Sequence, residues 1–241
     1  MGAQSSGGAV VASVGNTAAY VPPSSTSSLS ASLTLGSATK RKVVVKLVAE
    51  TLTTTPTDVT FDGVSMVANS VGSNPDQHST ATSLRQWEWW HDVPIGTSSG
   101  GKTLTVTLGA SSSLFSWHAW ELVDCADGAP ESTQFAQGTG AAATASVTST
   151  SDAALVAVGL IAAATQTITV SGDLSERFEN NEANYTSASA DVSTVATGTR
   201  SVTMTPSTGS DTTVRLSSYA AASVAPPTPA FGRYGVRGPI R

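Results

Sequence analysis

The strict alternation of apolar residues with serine and threonine is the feature that most constrains this chain. From Leu29 to Leu35, and again from Thr103 to Leu108, every second residue is apolar and the residues between are Ser or Thr. Successive side chains of a strand point to opposite faces of its sheet, so this period of two predicts half-buried β-strands. Only 12% of the residues are charged, about half the usual share of roughly 25%. The β-branched threonines that take their place favour strands over helices.

Further segments bring the predicted strands to about a dozen. The segment 42–49 is nearly continuous and apolar, and the segments 84–93 and 114–123 are rich in aromatic residues. Asp62-Gly63 between two β-rich pieces predicts a two-residue hairpin, because both positions of a type I′ turn need a positive φ. The alanine-rich segment 154–164 leaves a helix as an alternative, although its valines and internal glycine favour a buried strand. No repeat of fixed period is evident, so the pattern predicts an all-β sandwich or barrel rather than a solenoid.

The length allows either one large sandwich or two small domains. Residues 1–28 are dominated by Gly, Ala and Ser, so we expect an extended N-terminal arm without packed structure. The strand-like segments occupy residues 29–224, which we expect to form a single sandwich. Residues 225–241 begin with a proline-rich stalk, which is extended and stiff, and continue as a tail with aromatic residues between arginines.

Charge and composition disfavour several classes of function. The net charge is −5, whereas nucleic-acid binders present a basic face. No run approaches the ~18 apolar residues of a membrane span, so no membrane partner is expected. The one cysteine, Cys125, permits neither an intrachain disulfide nor a multi-cysteine metal site. The opening residues MGAQSSGG lack the positive region of a signal peptide, which fits assembly into a virus particle released by lysis.

The order of the motifs resembles that of a known family. The strand KVVVKLVAE precedes VTFDGVSMV and the aromatic WEWWHDVPIG, and then come TLTVTL, WHAWELVDCADGAP and SVTSTSDAALVAVGLIA. This order is similar to that of a jelly-roll domain of bacteriophage structural proteins and large bacterial surface proteins. The resemblance covers residues 29–224 and implies an antiparallel, two-sheet jelly-roll-like sandwich without an active site. We therefore expect a structural component located in a virion, either a capsid decoration protein or a component of a head or tail fibre.

The aromatic strands suggest an alternative function, a carbohydrate-binding adhesin for host surface glycans. By alternation, Trp87, Trp89 and His91 share one face of their strand, while Glu88 and Trp90 lie on the other. An exposed face of this kind would stack against sugar rings. If it is buried, the same rings fill the core, and each removes about 150–250 Å² from water. Three tryptophans within four residues must use both faces, so at least one is expected outside that core or under a loop.

No catalytic, metal or cofactor site is predicted. His78, His91 and His118 fit no ligand spacing, and no nucleophile elbow, P-loop or dinucleotide motif occurs. Carboxylates such as Glu88 and Glu121 would hydrolyse a glycoside only if they faced each other across a cleft. The sequence therefore predicts a protein that is not an enzyme.

The C-terminal tail is the predicted docking element. Phe231 and Tyr234 are suited to insertion into pockets of a partner, and Arg233, Arg237 and Arg241 to pairing with carboxylates or phosphate. A flexible, solvated end is the alternative. Docking through the terminal arms predicts a homo-oligomer in contact with other virion proteins.

Overall fold

The computed structural model describes residues 11–22, 24–51, 54–69, 76–81, 83–150, 152–163, 165–182 and 184–223. In these ranges the protein is all-β, as predicted, with eighteen strands. No described residue lies in a helix long and apolar enough to cross a membrane. The first ten strands are β1 (Ser13–Tyr20), β2 (Thr26–Leu35), β3 (Arg41–Glu50), β4 (Pro56–Phe61), β5 (Val64–Ser65), β6 (Val67–Ala68), β7 (Asp76–Gln77), β8 (Leu84–Val93), β9 (Gly100–Ser112) and β10 (Phe115–Val123). The others are β11 (Ser132–Gly138), β12 (Ala143–Ser149), β13 (Ala153–Ile161), β14 (Ile168–Gly172), β15 (Ser175–Asn181), β16 (Thr186–Val195), β17 (Gly198–Pro206) and β18 (Thr212–Tyr219).

Strands β1 to β10 form two antiparallel sheets that pack face to face, and we call this unit the first sandwich. Its inner sheet has the order β1-β10-β3-β8-β6, with β7 also paired to β8, and its outer sheet has the order β2-β9-β4-β5. The core between the sheets contains Leu33 and Val106 from the outer sheet and Val45, Trp87 and Trp117 from the inner sheet.

Strands β11 to β18 form the second sandwich in the same way. Its inner sheet has the order β11-β18-β13-β16-β15, and its outer sheet has the order β12-β17-β14. Val147 and Val202 of the outer sheet pack against Leu155, Ala190 and Leu216 of the inner sheet in a separate core.

The two sandwiches repeat one strand order. The orders β1-β10-β3-β8 and β2-β9-β4 correspond to β11-β18-β13-β16 and β12-β17-β14. The single sandwich that we expected over residues 29–224 is therefore wrong, because this range contains two hydrophobic cores. The repeat is one of strand order rather than of residue types, so no fixed period marks it in the sequence.

The two inner sheets pack against each other, which buries both faces of their central strands. In β3, Val43 and Val45 lie in the first core, whereas Val44 and Val48 pack against residues of β13. In β13, every residue is buried. A strand with two buried faces needs no polar alternation, which accounts for the nearly continuous apolar runs at 42–49 and 154–161.

The N-terminal arm that we expected over residues 1–28 is wrong for part of its length. Ser13–Tyr20 forms β1, which pairs with β10 at the edge of the first inner sheet, and β2 begins at Thr26. The start of β1 and the residue before it also bond to the second sandwich, because Ala12 N donates to Asp152 O at 2.8 Å and Val14 N donates to Ser193 Oγ at 2.8 Å. Residues 1–10 of the expected arm lie outside the described ranges.

Two local predictions are confirmed. Asp62 and Gly63 have φ values of 50° and 81° and connect β4 to β5, as a type I′ turn requires. In the segment predicted at 154–164, the residues up to Ile161 belong to the strand β13 (Ala153–Ile161) rather than to a helix. Gly159 in this strand leaves room for Met204 of the outer sheet, whose Cγ would lie 2.8 Å from an added Cβ.

Candidate functional site

The structure places Trp87 and Trp89 in the core of the first sandwich. Their side chains are 2% and 8% exposed, and both pack among residues of the two sheets. This burial counts against sugar stacking at these two residues, because neither indole presents a ring face to solvent. His91 shares their face, as predicted, but it lies near the end of the strand. It is half-buried and lines a cavity of about 170 Å³ with Phe61 and Pro94.

The other face of the aromatic strands meets the second sandwich. Trp120 donates from Nε1 to Asp191 Oδ2 at 3.2 Å, and Lys42 Nζ lies 4.6 Å from the ring centroid of Trp90. The rings thus occupy both faces, and the prediction that at least one of the three tryptophans of β8 would lie outside the first core is confirmed for Trp90. Trp120 of β10 also lies outside that core. What covers them is a second sheet rather than a loop.

The two carboxylates considered as a hydrolytic pair lie on opposite faces of the first inner sheet. Glu121 accepts hydrogen bonds from Gly36 N at 2.8 Å and from Asn16 Nδ2 at 2.8 Å. Glu88 faces the second sandwich instead. The sheet separates the two groups, so they cannot act together on one glycosidic bond.

The three histidines are also apart and have different partners. His78 is fully buried, accepts from Ala81 N at Nδ1 over 3.0 Å, and donates from Nε2 to Gly138 O over 3.2 Å. His118 is buried between the inner sheets, with Nε2 3.1 Å from Ser187 Oγ. Within the described ranges, no group of three or more His, Cys, Asp or Glu side chains is arranged to hold a metal ion.

The five predicted docking residues of the tail, Phe231, Arg233, Tyr234, Arg237 and Arg241, lie outside the described residues. The described chain ends beside the loop that follows β10. There, Cys125 and Ala221 form an isolated antiparallel bridge, and Ala222 N donates to Asp124 O at 2.7 Å. The described chain therefore ends at the end of the inner sheets where this loop lies.

The most distinctive chemical feature is a buried group of charged and hydroxyl side chains between the inner sheets. Glu88 on β8 and its register partner Lys46 on β3 come from the first sandwich. Their partners come mainly from β18 of the second sandwich. We call this group the Glu88 cluster, and it consists of Lys46, Asp76, Glu88, Arg215, Ser217 and Tyr219.

Both oxygens of Glu88 are fully engaged. Oε2 accepts from Arg215 Nε at 2.8 Å and from Ser217 Oγ at 2.8 Å, and Lys46 Nζ lies 3.4 Å from it. Oε1 accepts from the Tyr219 hydroxyl at 2.7 Å. Two cations therefore face one completely buried carboxylate, while Arg215 also pairs with Asp76 at the rim.

The surroundings keep the cluster charged. Burial alone would raise the pKa of Glu88. The positive charges of Lys46 and Arg215 outweigh this effect, together with the hydrogen bonds that Arg215 and Tyr219 donate, and the pKa of Glu88 is lowered to about 2. Burial lowers the pKa of Lys46 to about 8, against the opposing effect of Glu88. Burial and the adjacent Glu88 raise the pKa of Tyr219 well above its usual value. At neutral pH Glu88 and Lys46 therefore form a charged pair closed off from solvent, and Arg215 connects this pair to Asp76 at the rim.

The Glu88 cluster is suited to joining the two sandwiches. Each of its donors points to an acceptor across the interface, and the polar pairs Gln86–Thr213 and His118–Ser187 lie in the same interface at 2.9 and 3.1 Å. Lys46 in the apolar run 42–49 was the one sequence signal of this cluster, because a charge on a buried strand needs a partner.

No family model, curated protein or solved structure matches the chain. The function must therefore be inferred from the fold and from the surfaces and cavities of the described residues.

Two further cavities lie at opposite sides of the first sandwich. One of about 360 Å³ is formed by the turns 37–41 and 95–99, beside Ile95, whose side chain is 79% exposed. The other, of about 260 Å³, lies where the two sandwiches meet and is lined by Pro22, Ser24, Ser25, Ser113, Leu114, Glu182, Asn184 and Tyr185. Sequence analysis predicted neither, because each is built from turns that are distant along the chain.

Proposed function

We propose that the protein is a non-enzymatic structural component of a bacteriophage-like virion, built from two jelly rolls in tandem. The observation that supports this most is the strand order. The eight strands of a jelly roll alternate for the most part between two sheets, and the orders β1-β10-β3-β8 and β2-β9-β4-β5 support the proposal because the chain crosses between the sheets in this way. The second sandwich follows the same order for seven strands, with β15 paired to the inner sheet.

A rigid unit of two sandwiches suits a structural role. The inner sheets meet over apolar contacts that include Val44, Trp120 and Val156, and over the Glu88 cluster. Such an interface resists bending between the sandwiches, because separation would expose both the apolar residues and the buried charges. A component of a particle shell or fibre must keep its shape in this way.

We propose that residues 225–241 dock on a neighbouring subunit. The tail holds three of the twelve cationic residues and no acidic one, so the rest of the chain has nine cationic and seventeen acidic residues, a formal charge of −8. Opposite charges favour association of the tail with the body of another copy. Phe231 and Tyr234 supply the aromatic anchors that such contacts depend on.

Deletion of residues 225–241 tests this proposal. The truncated protein should fold normally, because both sandwiches end before Val224, but it should be lost from purified particles. Copy number per particle, measured by quantitative mass spectrometry, is the readout. Phe231→Ala with Tyr234→Ala should also reduce the copy number, whereas Thr228→Ala in the same tail should not. Normal incorporation of the truncated protein would contradict docking by the tail, and absence of the intact protein from particles would contradict the virion assignment.

A further inference from the structure

One end of the first sandwich exposes apolar side chains beside an open cavity. The cavity of about 170 Å³ that His91 lines has mainly apolar walls, which come from Phe61, Val64, Val93 and Pro94. We call it the Val64 cavity. Val64 and Ile95 are two of the four large apolar side chains that the described residues expose, and the two cavities that they line share Thr97. Exposed apolar surface of this kind marks a place where another apolar group packs.

The size and lining of the Val64 cavity suit one aromatic ring. Its volume of about 170 Å³ is slightly larger than that of an apolar cavity of about 150 Å³ that binds benzene. Two of its polar residues already have partners. Asp62 pairs with Lys102 at 3.2 Å, and the Thr97 hydroxyl donates to Pro94 O at 2.7 Å. A ring without a polar group, such as that of phenylalanine, is therefore the side chain that fits best.

The described chain ends close to this cavity. Ala222 N donates to Asp124 O at 2.7 Å, and Asp124 N donates to Lys40 O at 3.0 Å. The next residue, Arg41, donates from Nη2 to the carbonyl of Thr97, which lines the cavity. Strands β10, β3 and β8 are neighbours in the inner sheet, so the end of the described chain and the cavity are about two strand spacings, or about 10 Å, apart.

Phe231 is the one phenylalanine of residues 225–241 and lies within reach of the Val64 cavity. It follows Ser223, the last described residue, by eight positions. A proline-rich segment spans about 3.1 Å per residue, so eight residues reach about 25 Å. This exceeds the distance to be crossed. A short tether also keeps the attached group at a local concentration in the millimolar range, which favours the cavity of the same chain over that of another copy.

We propose that in the isolated protein Phe231 docks in the Val64 cavity of its own chain and covers the exposed apolar surface there. The docking on a neighbouring subunit proposed above would replace this contact by the same contact between two copies. The present proposal concerns the isolated protein, so it holds whether or not the protein belongs to a virion. Incorporation into particles tests the virion assignment separately.

NMR of the full chain tests the proposal with His91 as the reporter. The chain has three histidines, and of these only His91 lines the Val64 cavity. Phe231→Ala should shift the ring-proton signals of His91, because an aromatic ring leaves its surroundings, whereas Thr228→Ala in the same tail should not. The signals of the wild type should not change on dilution. Unshifted His91 signals in Phe231→Ala would overturn the proposal, and signals that depend on concentration would show that the contact forms between copies instead.

Limited proteolysis tests the cavity from the other side. Chymotrypsin cleaves after phenylalanine, and a docked Phe231 is protected. Val64→Asp places a charge in the cavity and should raise the rate of cleavage after Phe231 about tenfold, as expected when an aromatic anchor is released. Val67→Asp is the matched control, because Val67 is similarly exposed, at 49% against 53%, but does not line the cavity. An unchanged rate in Val64→Asp, or an equal rise in both variants, would contradict docking at this cavity.

Discussion

Replacement of Glu88 by glutamine should destabilise the protein strongly, since this carboxylate holds the Glu88 cluster together. Gln has nearly the same shape and keeps one oxygen acceptor, so the change removes the charge with little change in packing. Lys46 and Arg215 would remain buried, at 0% and 3% side-chain exposure, without their shared counter-ion. The loss would then reflect the missing charge and the amide donor that replaces one acceptor oxygen, while Arg215 keeps its contact with Asp76.

The magnitude follows from the burial of the three groups. Breaking a buried ion pair by removing one partner costs about 3–5 kcal/mol, because the other charge stays uncompensated. A folded domain is stable by about 5–15 kcal/mol, so Glu88→Gln should remove a large share of the total. With a urea m-value of about 3 kcal/mol/M, the unfolding midpoint should fall by about 1–1.7 M. Adding Lys46→Met should recover part of the loss, since one of the unpaired cations is then absent.

Equilibrium urea unfolding is the assay, and Glu121→Gln is the matched control. Glu121 is equally buried in the same sheet, but its partners are neutral groups, Gly36 N and Asn16. Its replacement should cost only about 1–2 kcal/mol. If Glu88→Gln were no more destabilising than Glu121→Gln, the argument that buried charges join the sandwiches would fail.

Three further outcomes are expected. His118 is buried, and burial lowers its pKa to about 3. Between about pH 6.5 and pH 3 only the unfolded chain takes up a proton at this histidine, so the free energy of unfolding should fall by about 1.4 kcal/mol for each pH unit on acidification. His118→Gln should make the urea midpoint less dependent on pH over this window, and an unchanged slope would refute the assignment. Burial raises the pKa of the Cys125 thiol to about 12. The folded protein should therefore not react with a disulfide reagent at pH 8 until urea unfolds it. Rapid labelling of Cys125 in the folded protein would show that the thiol is accessible. Gly172 has a φ of +105°, and an added Cβ would lie 2.5 Å from Ser201 O. Gly198 also has a positive φ, but an added Cβ there would have no atom within 4 Å. Gly172→Ala should therefore lower the melting temperature more than Gly198→Ala, and equal effects would indicate that the contact with Ser201 O is relieved.

The sequence predicted the strands well where one face is apolar and the other polar. Alternation placed Trp87 and Trp89 opposite Glu88 and Trp90, and the structure has them so. The Asp62-Gly63 hairpin could also be predicted, because its signal lies in two adjacent residues of the chain. Strand β1 was missed because its residues, SVGNTAAY, are mostly half-buried and carry no clear alternation.

The arrangement of the sandwiches and the candidate sites could not be predicted from local patterns. In β16, Ser187, Ser189 and Asp191 are buried against the first inner sheet, although their residue types suggest a solvated face. Arg215 meets Glu88 across 127 positions of the chain, and the cavity of about 260 Å³ where the two sandwiches meet combines residues that are distant along the chain. Such contacts depend on how the sheets stack, and no spacing along the chain indicates this.

The central claim is that the two sandwiches form one unit, and the positions of the tryptophans allow a direct test. All five tryptophans of the chain lie in β8 and β10 of the first sandwich, and Trp90 and Trp120 face the second sandwich. Their fluorescence therefore reports on the first sandwich and on the interface, while far-UV circular dichroism reports on both sandwiches. Urea unfolding followed by the two signals on one sample should give coincident transitions with a single midpoint. A circular dichroism curve with two steps, or a fluorescence midpoint that differs from the circular dichroism midpoint, would contradict the claim.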